Sequence, residues 1–155
     1  MAEGQPGAGL RRADARPVGV ILDSNIWIAL AAGALDRKAA AAALGDEPAF
    51  ISVFTLGELR FGVETCANPA ERAPRAAFLR QLESQPALGV SRDTAAAFGV
   101  LAAAVKHSGR SPRPRYNDLW IAAQAIEHGY TLLTNNPADF AGLPGLRLAR
   151  VPRGG

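Results

Sequence analysis

A chain of 155 residues with 48% hydrophobic and 20% charged residues has the size and balance of one soluble globular domain. Its apolar stretches are too short to span a bilayer, and its single cysteine, Cys66, excludes an internal disulfide and fits a reducing cytoplasm. The net charge of +3 comes almost wholly from arginine, which is compatible with a nucleic-acid partner without requiring one.

Residues 1–17 are rich in glycine, proline and arginine and lack hydrophobic periodicity, which predicts a flexible N-terminal extension. The arginines of this segment are not followed by an apolar run of signal-peptide length, so we expect no secretory leader. The domain itself is predicted to cover residues 18–151, with a short tail at 152–155.

Along the domain, apolar runs typical of buried strands alternate with segments of helical periodicity. Strands are predicted at 18–22, 49–53, 88–90 and 130–134, with a fifth candidate at 146–151. Helices are predicted at 26–30, 36–44, from 55 to about 65, from near 74 to 85, at 93–107, and from 117 or 118 to 128. This alternation predicts an α/β domain with a mainly parallel central sheet of four to five strands flanked by helices.

Three acidic residues stand where predicted strands end or predicted helices begin. Asp23 directly follows the first strand, Glu58 comes shortly after the second, and Asp118 opens a later helix. Ligands of parallel sheets bind beyond the carboxyl ends of the strands, so these side chains are expected at one edge. Carboxylates that meet repel each other, and a divalent cation such as Mg²⁺ or Mn²⁺ relieves that repulsion.

Each acid also has a purely structural explanation. Asp23 has a side chain suited to capping a helix. Thr55 and Glu58 have the spacing of a capping box, in which the glutamate bonds back to the N–H of the cap residue. Asp118 would interact favourably with the dipole of the helix that it opens. Capping explains any one of these acids better than it explains all three at one edge.

Four segments resemble the PIN-domain family, in particular the VapC-type toxins of bacterial toxin–antitoxin pairs. They lie at residues 22–25, 52–63, 117–125 and 132–140, in the family's order, and the similarity covers about 18–151. The most specific pieces are Glu-Leu-Arg-Phe-Gly at 58–62 and Asn-Asp-Leu-Trp-Ile-Ala at 117–122. Their occurrence in one chain carries the resemblance, which either piece alone would not.

The resemblance implies a Mg²⁺- or Mn²⁺-dependent endoribonuclease that hydrolyses RNA, is neutralised by a small VapB-like antitoxin and forms a homodimer. It assigns the metal-site carboxylates to Asp23, Glu58 and Asp118. Many relatives have a fourth acid two residues after the threonine that matches Thr134, where this chain has Asn136. Asp139 is nearby and is often present in the family as an auxiliary acid. Because asparagine adds no charge, this departure weakens the case for a second tightly held metal.

Roles for the individual side chains follow from the chemistry of phosphodiester hydrolysis. Asp23 and Asp118 are the expected direct metal ligands, and Glu58 would hold a metal-bound water or act as the base. Thr134 and Asn136 would orient these groups or the substrate.

Several arginines lie in the loop predicted before Asp118. Arg113 and Arg115 are suited to binding RNA phosphates, since a guanidinium group donates two parallel hydrogen bonds to phosphate oxygens. The alternative is a solvated surface loop, and the sequence does not decide between the two.

Two other functions compete with RNA hydrolysis. One is a catalytically silent PIN-like module that binds RNA or protein, and the three intact acids argue against it. The other is a haloacid-dehalogenase-like phosphatase with Asp23 as its nucleophile. That chemistry requires a second aspartate two residues later and a downstream lysine, but Asn25 stands there and the chain has only two lysines.

Overall fold

The computed structural model describes residues 19–151 of the chain. The extension predicted at 1–17 and the tail predicted at 152–155 lie outside the described residues. Within 19–151, no helix is both long enough and apolar enough to cross a membrane.

All strand pairs of the central sheet are parallel, and the strand order is β3-β2-β1-β4-β5. The strands are β1 Val20–Leu22, β2 Ala49–Ser52, β3 Ala87–Leu88, β4 Thr131–Thr134 and β5 Arg147–Arg150. The predicted α/β class and the fifth strand are therefore confirmed. The chain moves outward from β1 to β3 on one side and returns to the other side at β4. This reversal leaves a crevice beyond the carboxyl ends of β1 and β4, the place where open α/β sheets bind ligands.

In the described part of the chain, six α-helices cover the two faces of the sheet. They are α1 Ser24–Ala31, α2 Arg37–Leu44, α3 Val53–Glu64, α4 Pro69–Glu83, α5 Arg92–His107 and α6 Tyr116–His128. Two short 3-10 helices, Arg113–Arg115 and Pro137–Phe140, precede α6 and follow β4.

The central strand is buried on both faces because its residues alternate between two hydrophobic clusters. Ile21 belongs to the cluster that contains Leu101 of α5 and Ile121 of α6, whereas its neighbour Leu22 faces the cluster around Ile26 of α1. Burial of a large aliphatic side chain stabilises the fold by roughly 1.5–3 kcal/mol. These contacts anchor β1, and with it the direction in which the chain leaves the sheet at Asp23.

The predicted start of α3 at Thr55 is wrong. The helix begins at Val53, and the hydroxyl of Ser52 caps it by accepting a hydrogen bond from the N–H of Phe54 at 3.1 Å. Thr55 lies inside the first turn and is fully buried. The capping box proposed for Thr55 and Glu58 therefore does not form, and the carboxylate of Glu58 is free for other partners.

The predicted start of α4 near Pro74 is also wrong. This helix begins at Pro69 and is capped by Asn68, whose side chain accepts a hydrogen bond from the N–H of Ala70 at 3.0 Å. Pro69 occupies the first helical position, where the missing N–H of proline is not needed. The preference of proline for the start of a helix also led to the predicted start near Pro74, but Pro74 lies inside the helix.

Candidate active site

Asp23 lies where β1 meets α1, at the crevice, and its side chain is only 1% exposed. Its Oδ2 atom accepts a hydrogen bond from the hydroxyl of Thr134, at the end of β4, over 3.0 Å. Its Oδ1 atom is buried, and no donor within residues 19–151 reaches it. Asp23 occupies the cap position of α1, but its side chain makes no capping bond, so the capping explanation is wrong for this residue. A buried carboxylate oxygen without a donor is costly unless a cation or water completes it.

Glu58, on α3, receives hydrogen bonds from two other helices. Its Oε1 atom accepts from the hydroxyl of Ser24 on α1 at 3.1 Å and from the amide of Asn117 on α6 at 3.3 Å. The Ser24 oxygen lies 2.8 Å from the hydroxyl oxygen of Thr55. Since the single proton of Ser24 is used on Glu58, Thr55 must donate to Ser24, which orders a chain from Thr55 through Ser24 to Glu58.

Asp118 lies in the first turn of α6. Burial raises its pKa to about 6, and the carboxylates of Asp23 and Asp139 add to the rise, while the Arg115 guanidinium opposes it. A carboxyl group with this pKa is readily neutralised by a proton or a cation, since either removes the repulsion.

The other two acids respond to the same neighbourhood. Burial raises the pKa of Asp23, hydrogen bonding by the Thr134 hydroxyl and the Ser24 backbone N–H offsets part of the rise, and the Glu58 and Asp139 carboxylates add to it. Burial also raises the pKa of Glu58, and so does Asp118, whereas the bonds from Ser24 and Asn117 lower it. The three predicted acids thus come together at one edge of the sheet, and Asp139 joins them.

Among residues 19–151, no three Asp, Glu, His or Cys side chains lie in an arrangement that could together hold a metal ion. A cation bound through one or two carboxylates, with water in its remaining positions as is common for Mg²⁺, does not require three such side chains.

Asn136 does not point freely toward a substrate. Its backbone N–H donates to the Thr134 hydroxyl at 3.0 Å, and its side-chain amide donates to Oδ2 of Asp139 at 2.9 Å. Arg115 holds the same segment, since its Nη1 donates to the backbone oxygen of Asp139 at 2.7 Å. Arg115 is therefore turned toward the site and the protein, whereas Arg113 is exposed.

Sequence reasoning missed the roles of Ser24, Thr55 and Asn117. Ser24 directly follows Asp23, and Asn117 directly precedes Asp118, so adjacency to a candidate acid was an available signal. Thr55 offered no such signal, because its capping-box spacing had a sufficient local explanation.

An apolar groove of about 590 Å³ lies against the site, and its lining includes Glu58 and Asn117. Three large hydrophobic side chains line it from α1 and α3 and are exposed: Ile28 by 42%, Val53 by 38% and Phe61 by 70%. Adjacent exposed apolar residues of this size usually mark a binding surface.

Comparison with known proteins agrees with this geometry. The model of the PIN domain family matches residues 20–145. The chain is 36% identical to Ribonuclease VapC5 of Mycobacterium tuberculosis over 137 residues, which is 88% of this chain and 96% of that protein. It is 32% identical to Ribonuclease VapC1 of Rickettsia felis, over 86% of this chain and 97% of that protein.

Solved structures give the same result for the fold. The crystal structure of VapBC-5, a member of the VapBC family of toxin-antitoxin systems from Mycobacterium tuberculosis, superposes with a TM-score of 0.72. That match has 33% sequence identity and covers 87% of this chain and all of that one. The family model, these relatives and the shared fold together establish that this chain belongs to the PIN-domain family, in its VapC-type branch.

Proposed function

We propose that this chain is a Mg²⁺- or Mn²⁺-dependent endoribonuclease that hydrolyses RNA phosphodiester bonds as the toxin of a toxin–antitoxin pair. The full-length relatives that carry the name ribonuclease support the reaction, and the VapBC complexes support the toxin role. The observation in this chain that carries the proposal is the buried Oδ1 atom of Asp23, an acceptor that no protein donor within residues 19–151 satisfies.

In this proposal Asp23 and Asp118 would hold the cation. Both are carboxylates, which are the oxygen ligands that Mg²⁺ and Mn²⁺ prefer, and the pKa of each is raised by burial and by neighbouring acids. When bound, such a cation lowers the pKa of a water molecule and polarises a phosphoryl oxygen. Thr134 orients Asp23 through its hydrogen bond, which leaves Oδ1 available to the cation.

Glu58 is the proposed base, or it holds the attacking water. The pKa of Glu58 is raised toward neutral pH, which makes its carboxylate a stronger base than that of an ordinary glutamate and favours proton uptake from a water molecule. The bonds from Ser24 and Asn117 are both to Oε1, and they fix the orientation of the carboxylate. Asn136 positions Asp139, and through it the acidic edge, and does not itself take a chemical role.

A cleavage assay tests this proposal. We expect labelled RNA to be cut with Mn²⁺ or Mg²⁺ and to remain intact with EDTA. Asp23→Asn and Asp118→Asn should each lower the rate by at least about 100-fold, since removing even the hydrogen-bond partner of a metal ligand costs about 10- to 100-fold. Asp93→Asn is the matched control, because Asp93 is also an acid in the first turn of a helix but lies on α5. Undiminished cutting by a folded Asp118→Asn protein would contradict the proposal.

The proposed partner is a small VapB-like antitoxin, and we propose that it docks in the apolar groove beside Glu58. The VapBC complexes among the structural relatives support such a partner, and the exposed Phe61 offers it an aromatic anchor.

A homodimer is also part of the proposal, and light scattering of the purified protein tests it. We propose that the protein acts in the cytoplasm, where RNA is present and the lone Cys66 stays reduced.

A further inference from the structure

A second cleft opens between the end of α5 and the start of α6. It measures about 510 Å³, and its lining includes Lys106, Arg110, Ser111, Arg113 and Tyr116. None of the residues that line it is acidic. Within residues 19–151, neither Lys106 nor either of these arginines forms a salt bridge. The cleft therefore presents three uncompensated positive charges to solvent.

Backbone hydrogen bonds hold the walls of this cleft in place. The N–H of Arg110 donates to the carbonyl of Val105 at 3.2 Å, and the N–H of Arg115 donates to the carbonyl of Pro112 at 3.0 Å. Gly109 has a φ of 85°, a left-handed conformation that lets the chain turn sharply after α5. The cations are thus carried on an ordered turn, which makes the solvated-loop explanation less adequate.

The cleft and the acidic site both include residues from the first turn of α6. Tyr116 lines the cleft, and Asp118 follows two residues later, about 3 Å further along the helix axis. Between them, Asn117 bonds to Glu58. Two residues of a helix correspond to about 200° of rotation, so a strand bound at the acids would reach the cleft by passing round the first turn of α6.

Tyr116 gives the cleft an aromatic surface. Its side chain is 41% exposed, and its ring packs edge-on against Phe98 with 5.3 Å between ring centroids. A positively charged groove with an exposed aromatic ring is the usual arrangement for holding a single nucleic-acid strand, in which cations contact phosphates and a base stacks on the ring.

Electrostatics explains why the substrate would need such a site. The reacting phosphate must approach the carboxylates of Asp23, Glu58 and Asp118, which repel it, and one divalent cation offsets only part of their charge. Binding free energy for the RNA must therefore come from elsewhere on the surface. Arg115 is turned to the backbone of Asp139, so it does not line the cleft and leaves this role to the three other cations.

We propose that this cleft is a binding subsite for the RNA strand next to the scissile phosphate, an inference that rests on the proposed ribonuclease function. Lys106, Arg110 and Arg113 bind backbone phosphates, and Tyr116 stacks on a base. The subsite serves affinity and placement of the strand, while the acids carry out the reaction.

The test measures binding of a short labelled single-stranded RNA to the full chain in EDTA, by fluorescence anisotropy over a range of KCl concentrations. The variant with Lys106, Arg110 and Arg113 all changed to alanine should bind at least about tenfold more weakly at low salt. Its slope of log affinity against log salt should fall by about two units, since each phosphate that is no longer neutralised lowers the slope by about 0.7.

The matched control replaces Lys38, Arg80 and Arg92 by alanine. These are likewise one lysine and two arginines, all exposed, and Arg92 lies at the opposite end of α5 from the cleft. The control should keep most of the affinity and of the salt slope. Equal losses in the two triple variants would reduce the effect to net charge and overturn the proposal.

Tyr116 is tested separately from the cations. Tyr116→Ala should weaken RNA binding by about fivefold or more because the stacking is removed, and Tyr116→Phe should restore it. Failure of the phenylalanine variant to restore binding, with the protein folded, would contradict the stacking role.

Cleavage kinetics separate this inference from the proposed function. With Mn²⁺, the cleft variants should raise KM and leave kcat largely unchanged, because the acids are intact. If wild type binds RNA through the cleft but never cuts it, the ribonuclease proposal fails and the subsite stands. If wild type cuts RNA and the cleft variants bind and cut as it does, the subsite is wrong. If the cleft variants bind RNA normally but no longer bind an acidic protein partner, the subsite proposal is also wrong.

Discussion

At the scale of single residues, the informative feature is an asymmetric carboxylate. Asp23 has one oxygen bonded to Thr134 and one buried oxygen without a protein donor among residues 19–151. A helix cap or a salt-bridge partner would use its oxygens within the protein. The fold instead leaves one oxygen without a hydrogen-bond donor at the crevice, which is the arrangement expected of a residue that binds a ligand.

Thr134 should therefore control metal affinity without touching the metal. Thr134→Val keeps the shape of this fully buried side chain but removes the hydroxyl that orients Asp23. We expect Mn²⁺ to bind about 10- to 100-fold more weakly, as is typical when the hydrogen-bond partner of a metal ligand is removed. Calorimetric titration with Mn²⁺ measures this, and Thr134→Ser should retain near-normal affinity. Equal affinities for the valine and serine variants would show that the hydrogen bond is irrelevant.

Neutralising Asp118 should stabilise the metal-free protein. Its pKa of about 6 in the folded state lies above the ordinary value of 3.8, so the folded form binds its proton more tightly than the unfolded chain. The charged carboxylate therefore destabilises the fold above about pH 6, and this penalty fades as the pH falls toward 4. Asp118→Asn should raise stability by about 1 kcal/mol near neutral pH, with a gain that shrinks on acidification.

Thermal melts in EDTA and in Mn²⁺ check this expectation. Added Mn²⁺ should raise the Tm of wild type by mass action, and the increase should shrink or vanish in Asp118→Asn. Asp93→Asn reports the helix-dipole contribution of a first-turn acid without the cluster. A wild type indifferent to Mn²⁺ would count against the metal site.

At the scale of elements, the start of α3 separates a structural residue from a functional one. Ser52 caps the helix, while Thr55, one turn further, begins the hydrogen-bond chain that reaches Glu58 through Ser24. Two hydroxyl residues three positions apart thus have different roles because only one lies at the helix end.

This division predicts opposite phenotypes for two similar substitutions. Ser52→Ala removes a cap and should lower the free energy of unfolding by about 1 kcal/mol while leaving RNA cleavage intact. Thr55→Val keeps the buried volume but removes the donor to Ser24, so it should reduce cleavage through Glu58. Denaturant unfolding and cleavage rates, measured on both variants, give the comparison. Normal cleavage by Thr55→Val would remove the hydrogen-bond chain from the mechanism.

At the scale of the whole molecule, three surfaces include or adjoin residues at the start of α6. The acids lie at the crevice between β1 and β4, the apolar groove adjoins Glu58, and the basic cleft begins at Tyr116. In this arrangement an antitoxin seated in the groove lies next to the acids and can obstruct the substrate.

The groove should therefore be necessary for neutralisation. Phe61→Glu places a charge at a side chain that is 70% exposed, so stability should change by no more than about 0.5 kcal/mol. Affinity for the antitoxin should fall by about 30-fold or more, the scale of a lost aromatic anchor. Val100→Glu is the control, since Val100 is 61% exposed but lies on α5. Inhibition of cleavage by added antitoxin is the measurement, and full inhibition of Phe61→Glu would place the partner elsewhere.

The order of residues along the chain was enough to predict the fold class and the acidic edge. Alternating apolar runs and helical segments suffice for an α/β domain, and in a parallel sheet the carboxyl ends of the strands share one edge. Asp23 follows a strand directly and Glu58 comes shortly after one, so their convergence could be predicted without coordinates. The motifs around Glu58 and Asp118 also indicated the family without coordinates, because each motif is a continuous stretch of sequence.

Packing between segments that are distant in the chain decides which residues take the roles that several local sequences could fill. Ser52 and Thr55 are both suitable cap residues. Because Thr55 packs against Ser24 of another helix, Ser52 is the residue that caps α3. Arg113 and Arg115 are equivalent in sequence, but the backbone of Asp139 is within reach of Arg115 alone. Such choices depend on the tertiary structure because the free energies of contacts between segments far apart in the chain exceed the small differences among local preferences.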